Sequence, residues 1–566
     1  MSEDRKDILR VENLCVNTAQ GAPILQGISF EIQAGETVCL VGESGSGKSV
    51  TSLATLGLLP KGALSATGGR ILLDGEDVLQ VSNGRLKALR GSRMAMIFQE
   101  PMTALNPVLT VGRQIDEVLQ THTDLNAQAR KARVMDALSQ VHLPDIERVY
   151  AAYPHQLSGG QRQRIMIAMA LVLEPRLLIA DEPTTALDVT TQQQILKLIR
   201  ELQQKHGTAV LFITHDMGVV VDIADRVCVM RQGHIVESGS VQQVLSAPQE
   251  AYTQALLSAV PSLAPRAARR EAASAQVVLD VVELGKTYPA AGSAWSLFRK
   301  RRQGTRAVHD VSFMLKRGRT LGIVGESGSG KSTLARCVMR LLTPTCGAVR
   351  VTGKDISELT PVGLKPHRKR IQMVFQDPNR SLNPRMSIGR SLVEGPVNFG
   401  VPFAQAWARG QELLELVGLP VDAIDRFPHQ FSGGQRQRIA IARALAMEPD
   451  VIVADEAVSA LDVSVQAQVL QLLADIQERM QVAILFITHD LRVAAQVCDD
   501  VLVMQYGQVI EYGPAADVLA HPQQPYTQQL MERSPVRDGT SPPDGGCDDG
   551  LRSAVPERHR GRWNGQ

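Results

Sequence analysis

The stretch GESGSGKS runs from Gly42 to Ser49 and is repeated letter for letter from Gly325 to Ser332. Each copy follows a short apolar run, Thr37 to Val41 and Leu321 to Val324, which predicts a buried strand. Glycines let the backbone curl so that successive N–H groups point at phosphate oxygens, at the positive end of the helix that follows. The pattern of Gly, four residues and Gly-Lys-Ser therefore predicts a phosphate-binding P-loop in each half of the chain.

The residues of both loops are the predicted contacts to the phosphates of a nucleotide. Lys48 and Lys331 would reach the β- and γ-phosphates, and the hydroxyls of Ser49 and Ser332 would hold Mg²⁺. The full predicted set is Gly42, Glu43, Ser44, Gly45, Ser46, Gly47, Lys48, Ser49 and Val50 in the first loop and Gly325, Glu326, Ser327, Gly328, Ser329, Gly330, Lys331, Ser332 and Thr333 in the second.

Length and composition describe an ordinary globular protein with several structural units. The 566 residues are too many for one hydrophobic core, and a net charge of +2 gives no basic footprint, so no nucleic-acid partner is expected. The N-terminus is charged and lacks the apolar segment of a signal peptide, and no apolar run approaches the ~18 residues needed to cross a bilayer. These features predict a cytosolic chain.

A long internal repeat determines the layout of the chain. Asp455 and His489 lie 274 residues after Asp181 and His215, and a period of this length indicates duplicated domains rather than a solenoid. We predict a first domain over 1–261, a surface linker over 262–276, a second domain over 277–532 and a disordered tail over 533–566.

Apolar patterning predicts an α/β fold for each domain. The predicted elements of the first copy are hairpin strands from Ile8 to Val16 and Ile24 to Ile32, a helical subdomain from Arg113 to His142, and parallel strands from Leu177 to Ala180 and Ala209 to Thr214 joined by a helix from Thr191 to Lys205. The second copy carries an insertion, 289–306, with a basic run at 299–302. This run is either a solvated loop or a contact with membrane headgroups or a membrane partner.

Carboxylates follow one buried strand in each copy: Asp181-Glu182 and Asp455-Glu456. An Asp at the carboxyl end of a parallel strand faces the same crevice as the P-loop, where it can bind Mg²⁺. The adjacent Glu can orient or deprotonate the attacking water. Pairs of surface acids are the alternative, and recurrence in both copies counts against it.

The segments LSGGQRQR (157–164) and FSGGQRQR (431–438) each precede an Ala- and Ile-rich run, which predicts a helix with Ser158 or Ser432 as N-cap. A capping box would not account for the paired glycines, which would let an anionic group approach the helix N-terminus closely. The predicted contact residues are Ser158, Gly159, Gly160, Gln161, Ser432, Gly433, Gly434 and Gln435.

In order along the chain, these motifs resemble an ATP-binding-cassette (ABC) nucleotide-binding domain, and the resemblance covers nearly the whole sequence. The residues that carry it are the P-loop, Gln99, SGGQ, Asp181-Glu182, Ala186-Leu187-Asp188 and His215, repeated as the second P-loop, Gln376, SGGQ, Asp455-Glu456, Ala460-Leu461-Asp462 and His489. The resemblance implies an α/β fold with two cassettes in one chain, each a RecA-like core with an antiparallel β subdomain and a helical subdomain.

The same resemblance implies intramolecular pairing of the two domains. The cassettes would face head to tail, so that Lys48 works with Ser432 to Gln435 and Lys331 with Ser158 to Gln161. The implied catalytic residues are Glu182, Glu456, His215, His489, Gln99 and Gln376, and the implied metal ligands are Ser49, Gln99, Asp181, Ser332, Gln376 and Asp455. The alternatives are that Gln99 is only a polar residue at a strand end, and that His215 and His489 are only hydrogen-bonded histidines.

Two departures from the family pattern predict unequal sites. An aromatic residue near the first strand of such domains stacks on adenine; Tyr288 fits this role in the second copy, whereas Asn17-Thr18 stands there in the first. The second Asp-Glu is followed by Ala457-Val458 instead of Pro183-Thr184. Since Glu456 is retained, both sites are expected to hydrolyse ATP, with different nucleotide affinities.

Four further segments resemble the ATP-binding subunits of peptide and nickel importers: FQEPMTALNP (98–107), FQDPNRSLNP (375–384), APQEAYTQALL and HPQQPYTQQLM. The fused layout, with ADEPTTALDVT in one half and ADEAVSALDVS in the other, most resembles glutathione-import and fused dipeptide-importer ATP-binding proteins. The resemblance implies a motor on the cytoplasmic face of the bacterial inner membrane, bound through 102–107 and 379–384 to two integral-membrane permease subunits that receive solute from a periplasmic binding protein. Nickel or opine-like cargo, or a soluble translation-type tandem cassette factor, are the alternatives. Only Cys547 lies near the C-terminus, so no iron–sulfur cluster is expected.

Replacing Glu182→Gln together with Glu456→Gln is predicted to trap ATP and nearly abolish turnover, because both candidate bases lose the carboxylate that activates water. The measurement is steady-state phosphate release by the purified chain, with retained nucleotide quantified after desalting. Undiminished hydrolysis would contradict the assignment of these residues as bases.

Overall fold

The computed structural model describes residues 6–100, 104–184, 189–266, 276–289, 304–377, 381–459 and 461–532. Most of the predicted linker, most of the 289–306 insertion and the predicted tail lie outside these ranges. Both halves of the chain belong to one compact unit, Met1–Pro535.

The second half repeats the order of elements of the first. The strands of the first half are β1 (Asp7–Thr18), β2 (Pro23–Gln33), β3 (Thr37–Val41), β4 (Leu64–Leu73), β5 (Glu76–Asp77), β6 (Met94–Ile97), β7 (Leu177–Asp181), β8 (Ala209–Thr214), β9 (Arg226–Arg231) and β10 (His234–Ser240). Its helices are α1 (Lys48–Thr55), α2 (Asn83–Ser92), α3 (Val111–His122), α4 (Ala127–Gln140), α5 (Ile146–Ala151), α6 (Gly159–Leu171), α7 (Val189–His206), α8 (Met217–Ile223), α9 (Val241–Ser246) and α10 (Ala251–Ser258).

The strands of the second half are β11 (Val277–Tyr288), β12 (Thr305–Lys316), β13 (Thr320–Val324), β14 (Cys346–Val351), β15 (Lys354–Asp355), β16 (Ile371–Val374), β17 (Val451–Asp455), β18 (Ala483–Ile487), β19 (Asp500–Gln505) and β20 (Gln508–Pro514). Its helices are α11 (Lys331–Val338), α12 (Pro361–Arg368), α13 (Ile388–Asn398), α14 (Phe403–Leu416), α15 (Gly433–Leu445), α16 (Val463–Met480), α17 (Leu491–Val497), α18 (Ala515–Ala520) and α19 (Pro525–Glu532).

A six-stranded sheet forms the centre of each half. In the first, the order is β10-β9-β3-β8-β7-β6, in which β10 is antiparallel to β9 and the other neighbours are parallel. The predicted parallel strands are confirmed, since β7 and β8 are adjacent and α7 connects them. The second half has the matching order β16-β17-β18-β13-β19-β20. Because parallel strands align their carboxyl ends, the loops after β3, β6, β7 and β8 meet at one edge.

A four-stranded antiparallel sheet packs beside each central sheet, in the order β2-β1-β4-β5 and again β12-β11-β14-β15. The predicted hairpin is confirmed by the antiparallel register of β1 with β2, in which Val11 lies opposite Phe30. The α/β fold with two cassettes, each with an antiparallel β subdomain and a helical subdomain, is therefore correct.

Alternate residues of the P-loop strand enter two different cores, which explains why this strand is apolar throughout. Val38 and Leu40 of β3 pack with the antiparallel sheet, whereas Cys39 and Val41 pack with the helical side of the domain. A parallel strand covered on both faces needs apolar residues at successive positions. The sheet is thereby held between two layers, and its polar loops are left at its edges.

The helical subdomain of each half depends on a glycine beneath a large ring. A Cβ at Gly112 would lie 2.4 Å from Tyr150 Cε2, and one at Gly389 would lie 2.5 Å from Trp407 Cη2 and 2.6 Å from Ile424 Cγ1. Non-bonded atoms cannot approach this closely. Only glycine therefore fits at this position in the first turn of α3 and of α13.

We predict that Gly389→Ala lowers the free energy of unfolding by about 1–3 kcal/mol, because the added methyl must displace Trp407 and Ile424. Gly363→Ala in α12 is the matched control: its Cβ would meet nothing closer than 3.6 Å, and alanine favours helix. Thermal unfolding of both variants measures the difference. Equal stability of the two variants would contradict this account of the subdomain.

Candidate functional site

The two P-loops have the same backbone conformation, and glycine is obligatory at their ends. Gly42 has φ +148° and a Cβ there would lie 2.2 Å from the carbonyl oxygen of Met230; Gly47, with φ +108°, would collide with Leu25. Lys48 is the first residue of α1. The loop therefore curls tightly between β3 and the N-terminus of a helix, as the sequence predicted.

The P-loop lysines are buried and bonded to their own loops. Lys48 Nζ donates to the carbonyl oxygens of Gly42 at 2.7 Å and Glu43 at 2.8 Å, and Lys331 repeats both bonds. Burial lowers the pKa of Lys48, and nearby carboxylates, first that of Asp462, partly offset this. The Oγ atom of Ser46 is buried in the same loop without a hydrogen-bond partner. The loop thus presents a buried cation and an unsatisfied hydroxyl, which suits an anionic ligand.

The strand-end aspartates lie beside the P-loop serines. Ser49 Oγ donates to Asp181 Oδ1 at 3.2 Å, and Ser332 Oγ donates to Asp455 Oδ1 at 3.2 Å. Burial raises the pKa of Asp181 to about 6, with the bond from Ser49 partly offsetting it, and burial also raises the pKa of Asp455. Each pair offers a hydroxyl and a carboxylate oxygen, the hard ligands that Mg²⁺ accepts.

The glutamate after each aspartate joins two distant predicted residues. Gln99 Nε2 donates to Glu182 Oε2 at 2.8 Å, and His215 Nδ1 lies 3.2 Å from Glu182 Oε1. Glu182 has φ +46°, a left-handed conformation that is uncommon for a non-glycine residue. The loops after β6 and β8 thus both contact the Glu182 carboxylate.

The second site repeats this triad. Gln376 Nε2 donates to Glu456 Oε2 at 2.7 Å, His489 Nδ1 lies 3.7 Å from Glu456 Oε1, and Glu456 has φ +48°. Burial acts to raise the pKa of Glu456, but His489, Lys331 and Gln376 outweigh it and lower the pKa overall. Burial likewise acts to lower the pKa of His489, and the neighbouring Glu456 raises it instead. The pair therefore favours a carboxylate beside an imidazolium.

The SGGQ segments form the predicted helix starts. Ser158 Oγ accepts from the Gln161 N–H at 3.3 Å, Gln161 Oε1 accepts from the Ser158 N–H at 3.0 Å, and Ser432 with Gln435 makes the same reciprocal box. The Ser158 and Ser432 N-caps are thus confirmed.

The paired glycines of these segments differ in their surroundings. A Cβ at Gly160 would lie 2.8 Å from Thr191 Cγ2 and one at Gly434 would lie 2.2 Å from Val465 Cγ1, whereas one at Gly159 would meet open space. Close packing against α7 or α16 is thus enough to require glycine at the second position of each pair. The sequence alone does not indicate this contact. The contacts given above for these segments lie within their own cassettes, so their part in ATP binding stays a prediction.

Tyr288 ends β11, as Thr18 ends β1. Its ring is 37% exposed and lies 5.6 Å from Lys286 Nζ, while the Thr18 hydroxyl accepts from the Ala22 N–H at 3.0 Å. An exposed ring can stack on a base and a threonine side chain cannot. The difference in nucleotide affinity between the two sites stays a prediction.

Residues of the two halves meet near both P-loops. The Thr190 hydroxyl at the start of α7 hydrogen bonds to the Glu326 carboxylate in the second P-loop. Asp462, just before α16, acts electrostatically on Lys48 and His215 in the first half. The sequence alone does not indicate a role for Asp462, because the groups it acts on belong to the other half of the chain.

A cavity of about 130 Å³ lies between the two halves. Corresponding residues line it from both sides, among them Thr214, His215, Thr488 and His489. The two histidine loops therefore face a common space.

A family model described as "ABC transporter" matches residues 25–185 and 308–459, and one described as "Oligopeptide/dipeptide transporter, C-terminal region" matches 236–289 and 510–560. The Agrobacterium fabrum peptidoglycan transport ATP-binding protein YejF is 47% identical over 93% of this chain and 96% of its own length. The Escherichia coli O157:H7 glutathione import ATP-binding protein GsiA is 46% identical over 94% of this chain and 90% of its own length.

The chain belongs to the ABC transporter family of ATP-binding-cassette ATPases, because the family model covers more than half of it and the relatives align along nearly all of it. It carries two nucleotide-binding cassettes, each followed by the oligopeptide/dipeptide transporter C-terminal region. In the described part of the chain no helix is both long and apolar enough to cross a membrane.

We predict that Asp181→Asn stabilises the nucleotide-free protein more at pH 8 than at pH 5. The pKa of Asp181 is raised to about 6, so the folded state keeps this proton up to that pH while the unfolded chain loses it near 4. The wild type therefore loses stability as the pH rises from about 4 through 6, by at most about 2–3 kcal/mol, and the amide does not titrate.

Thermal unfolding in EDTA at the two pH values measures this difference, and Asp455→Asn should behave in the same direction. Both variants should also lose the stabilisation that Mg²⁺ with ATP gives the wild type. If the stability of variant and wild type differed by the same amount at pH 5 and at pH 8, the result would contradict a buried carboxylate with a raised pKa at position 181.

Proposed function

We propose that this chain is the ATP-hydrolysing subunit of a membrane importer for peptides. The observation that carries the proposal is the oligopeptide/dipeptide transporter region behind each cassette, at 236–289 and 510–560. The relatives' names, peptidoglycan transport and glutathione import, support a peptide or peptide-like cargo. Nickel and opine-like solutes are the alternative cargo.

ATP binding begins at the P-loop lysine. Lys48 Nζ has only neutral carbonyl partners in the loop, so an anionic phosphate is a stronger acceptor for this buried cation. Lys48 turns from the Gly42 and Glu43 carbonyls to the β- and γ-phosphates, while the loop N–H groups and the helix N-terminus surround them. Lys331 acts in the same way at the second site.

Water activation falls to Glu182 and Glu456. Each carboxylate accepts a hydrogen bond from a glutamine and lies beside a histidine nitrogen, at 3.2 Å in the first site and 3.7 Å in the second, so its oxygens are oriented before the substrate arrives. Glu456 has a lowered pKa and is ionised at neutral pH, as an acceptor for a proton of water must be. His215 and His489, whose pKa values are raised by these carboxylates, donate to the γ-phosphate and sense its presence.

Mg²⁺ fits the residues at the strand ends. Among the described residues there is no group of three or more His, Cys, Asp or Glu side chains that could hold a metal on its own. Mg²⁺ is usually bound by one or two carboxylates together with waters and substrate phosphates. Asp181, Ser49 and Gln99 would hold it at the first site, where it would neutralise charge on the phosphates.

Pairing of the cassettes completes the sites. Asp462 acts on Lys48 and His215 from the other half, and Thr190 bonds to Glu326, so each site already has neighbours from the opposite cassette. We infer that Ser432 to Gln435 closes over ATP at the first site and Ser158 to Gln161 at the second. Closure on ATP and opening after hydrolysis would supply the movement.

Two exposed phenylalanines mark the surface that would transmit this movement. Phe98 is 40% exposed and Phe375 is 41% exposed, and each precedes Gln99 or Gln376 by one residue. A groove beside Phe375 is lined by Leu341, Met447 and the guanidinium-bearing Arg368. We infer that an amphipathic helix from each of two permease subunits docks here. The chain would then lie on the cytoplasmic face of the inner membrane, with a periplasmic binding protein supplying solute.

We predict that the tagged chain, extracted in mild detergent, captures two permease proteins identified by mass spectrometry. Phe98→Asp with Phe375→Asp should lower their recovery at least fivefold, because a buried charge opposes an apolar contact. Met314→Asp, at a 60% exposed position on β12, is the matched control and should leave recovery unchanged. Capture of ribosomes without any permease would contradict the proposal and favour the translation-type alternative.

A further inference from the structure

A tyrosine near the end of each cassette reaches back to the P-loop. The Tyr252 hydroxyl on α10 accepts a hydrogen bond from the backbone N–H of Glu43 at 3.2 Å. The Tyr526 hydroxyl on α19 accepts the same bond from Glu326 at 3.2 Å. The partners are 209 and 200 residues apart in the chain, yet both contacts fall on the second residue of GESGSGKS.

A carboxylate on the last strand of each half holds the loop that leads into the helix bearing this tyrosine. Glu237 on β10 accepts from the backbone N–H groups of Gln249 at 2.8 Å and Glu250 at 3.3 Å, immediately before α10. The second half repeats the arrangement, in which Glu511 accepts from Gln523 at 2.9 Å and Gln524 at 3.4 Å. These segments belong to the region matched by the oligopeptide/dipeptide transporter family. The strand, the loop and the tyrosine therefore form one connected unit in each cassette.

The same residue of the P-loop is held from two sides. Tyr252 takes the N–H of Glu43, and Lys48 Nζ donates to the carbonyl oxygen of Glu43 at 2.8 Å. When Lys48 turns to a phosphate, the carbonyl loses its donor while the bond to Tyr252 can persist. Three glycines with positive φ, at 42, 45 and 47, leave the loop little stiffness of its own. The tyrosine is thus an anchor that does not depend on the lysine.

The setting of the two tyrosines is not identical. The Arg231 guanidinium lies 4.9 Å from the centroid of the Tyr252 ring, whereas Gln505 occupies the corresponding position in the second half. Tyr526 is 9% exposed and packs into the core of its cassette. Both rings are therefore held in place, one by a cation above its face and the other by burial.

We propose that Tyr252 and Tyr526 are positioning residues for ATP: each hydroxyl holds the first turn of its P-loop in the curvature that presents the loop N–H groups to phosphate. The segment that follows the last strand of each cassette is then part of the nucleotide site rather than an appendage to it. This proposal rests on ATP binding by the P-loops and is independent of the permease and of the cargo.

The test uses the full chain with Tyr252→Phe and Tyr526→Phe combined, which removes two oxygen atoms and keeps both rings. Loss of one hydrogen bond per loop should raise the KM for ATP about 3- to 10-fold. The kcat should stay within twofold, since the tyrosines contact the P-loop backbone and neither Glu182 nor Glu456, the proposed bases. Hydrogen exchange of the peptide spanning 42–50 should accelerate, because the Glu43 N–H loses its acceptor.

Tyr150→Phe is the matched control, since Tyr150 packs on Gly112 in the helical subdomain, and its KM should equal that of the wild type. A KM within twofold of wild type for the double variant, or parallel losses of kcat and thermal stability at constant KM, would overturn the positioning role. A raised KM in a chain that captures no permease would support this proposal while contradicting the transport function.

Discussion

The carboxyl edge of the parallel sheet is the constraint on which both sites depend. The strand order β6-β7-β8-β3 places the loops that bear Gln99, Asp181, His215 and Lys48 side by side, although these residues are far apart in sequence. Neighbouring parallel strands end at the same edge of the sheet. The loops that follow the four strands therefore lie close together around one crevice. Glu182 then connects three of the loops through its two carboxylate oxygens.

Burying charged side chains at this edge costs free energy, and the binding of an anionic substrate can offset that cost. Lys48 and Asp181 are both shielded from water, and their pKa values move toward the neutral forms as a result. A phosphate with its metal supplies the missing opposite charges to both. Because Asp462 of the second half also acts on Lys48, the electrostatics of the first site include the other cassette.

Duplication has preserved the catalytic geometry but not the surroundings of the two sites. The common cavity illustrates this: Arg492 lines it from the second half, whereas Gly218 occupies the corresponding place in the first. Arg492 pairs with Asp490 at 3.0 Å; burial acts to lower the pKa of the guanidinium, but this carboxylate outweighs it and raises that pKa. The two histidine loops thus differ in charge. In addition, the first half has Thr18 at the position where the second half has Tyr288. The two sites therefore have the same predicted residues in different surroundings.

The P-loops, the strand-end carboxylates and the fold class could all be predicted from the amino-acid sequence, because each depends on local spacing or on a pattern that the duplication repeats. Tertiary structure alone decided which distant residues meet. The Gln99–Glu182–His215 group depends on a strand order that no local pattern specifies, and the Gly160 contact depends on how α6 meets α7. The role of Tyr252 was hidden for the same reason: its partner, Glu43, is 209 residues away, and only packing brings the end of the cassette to its first loop.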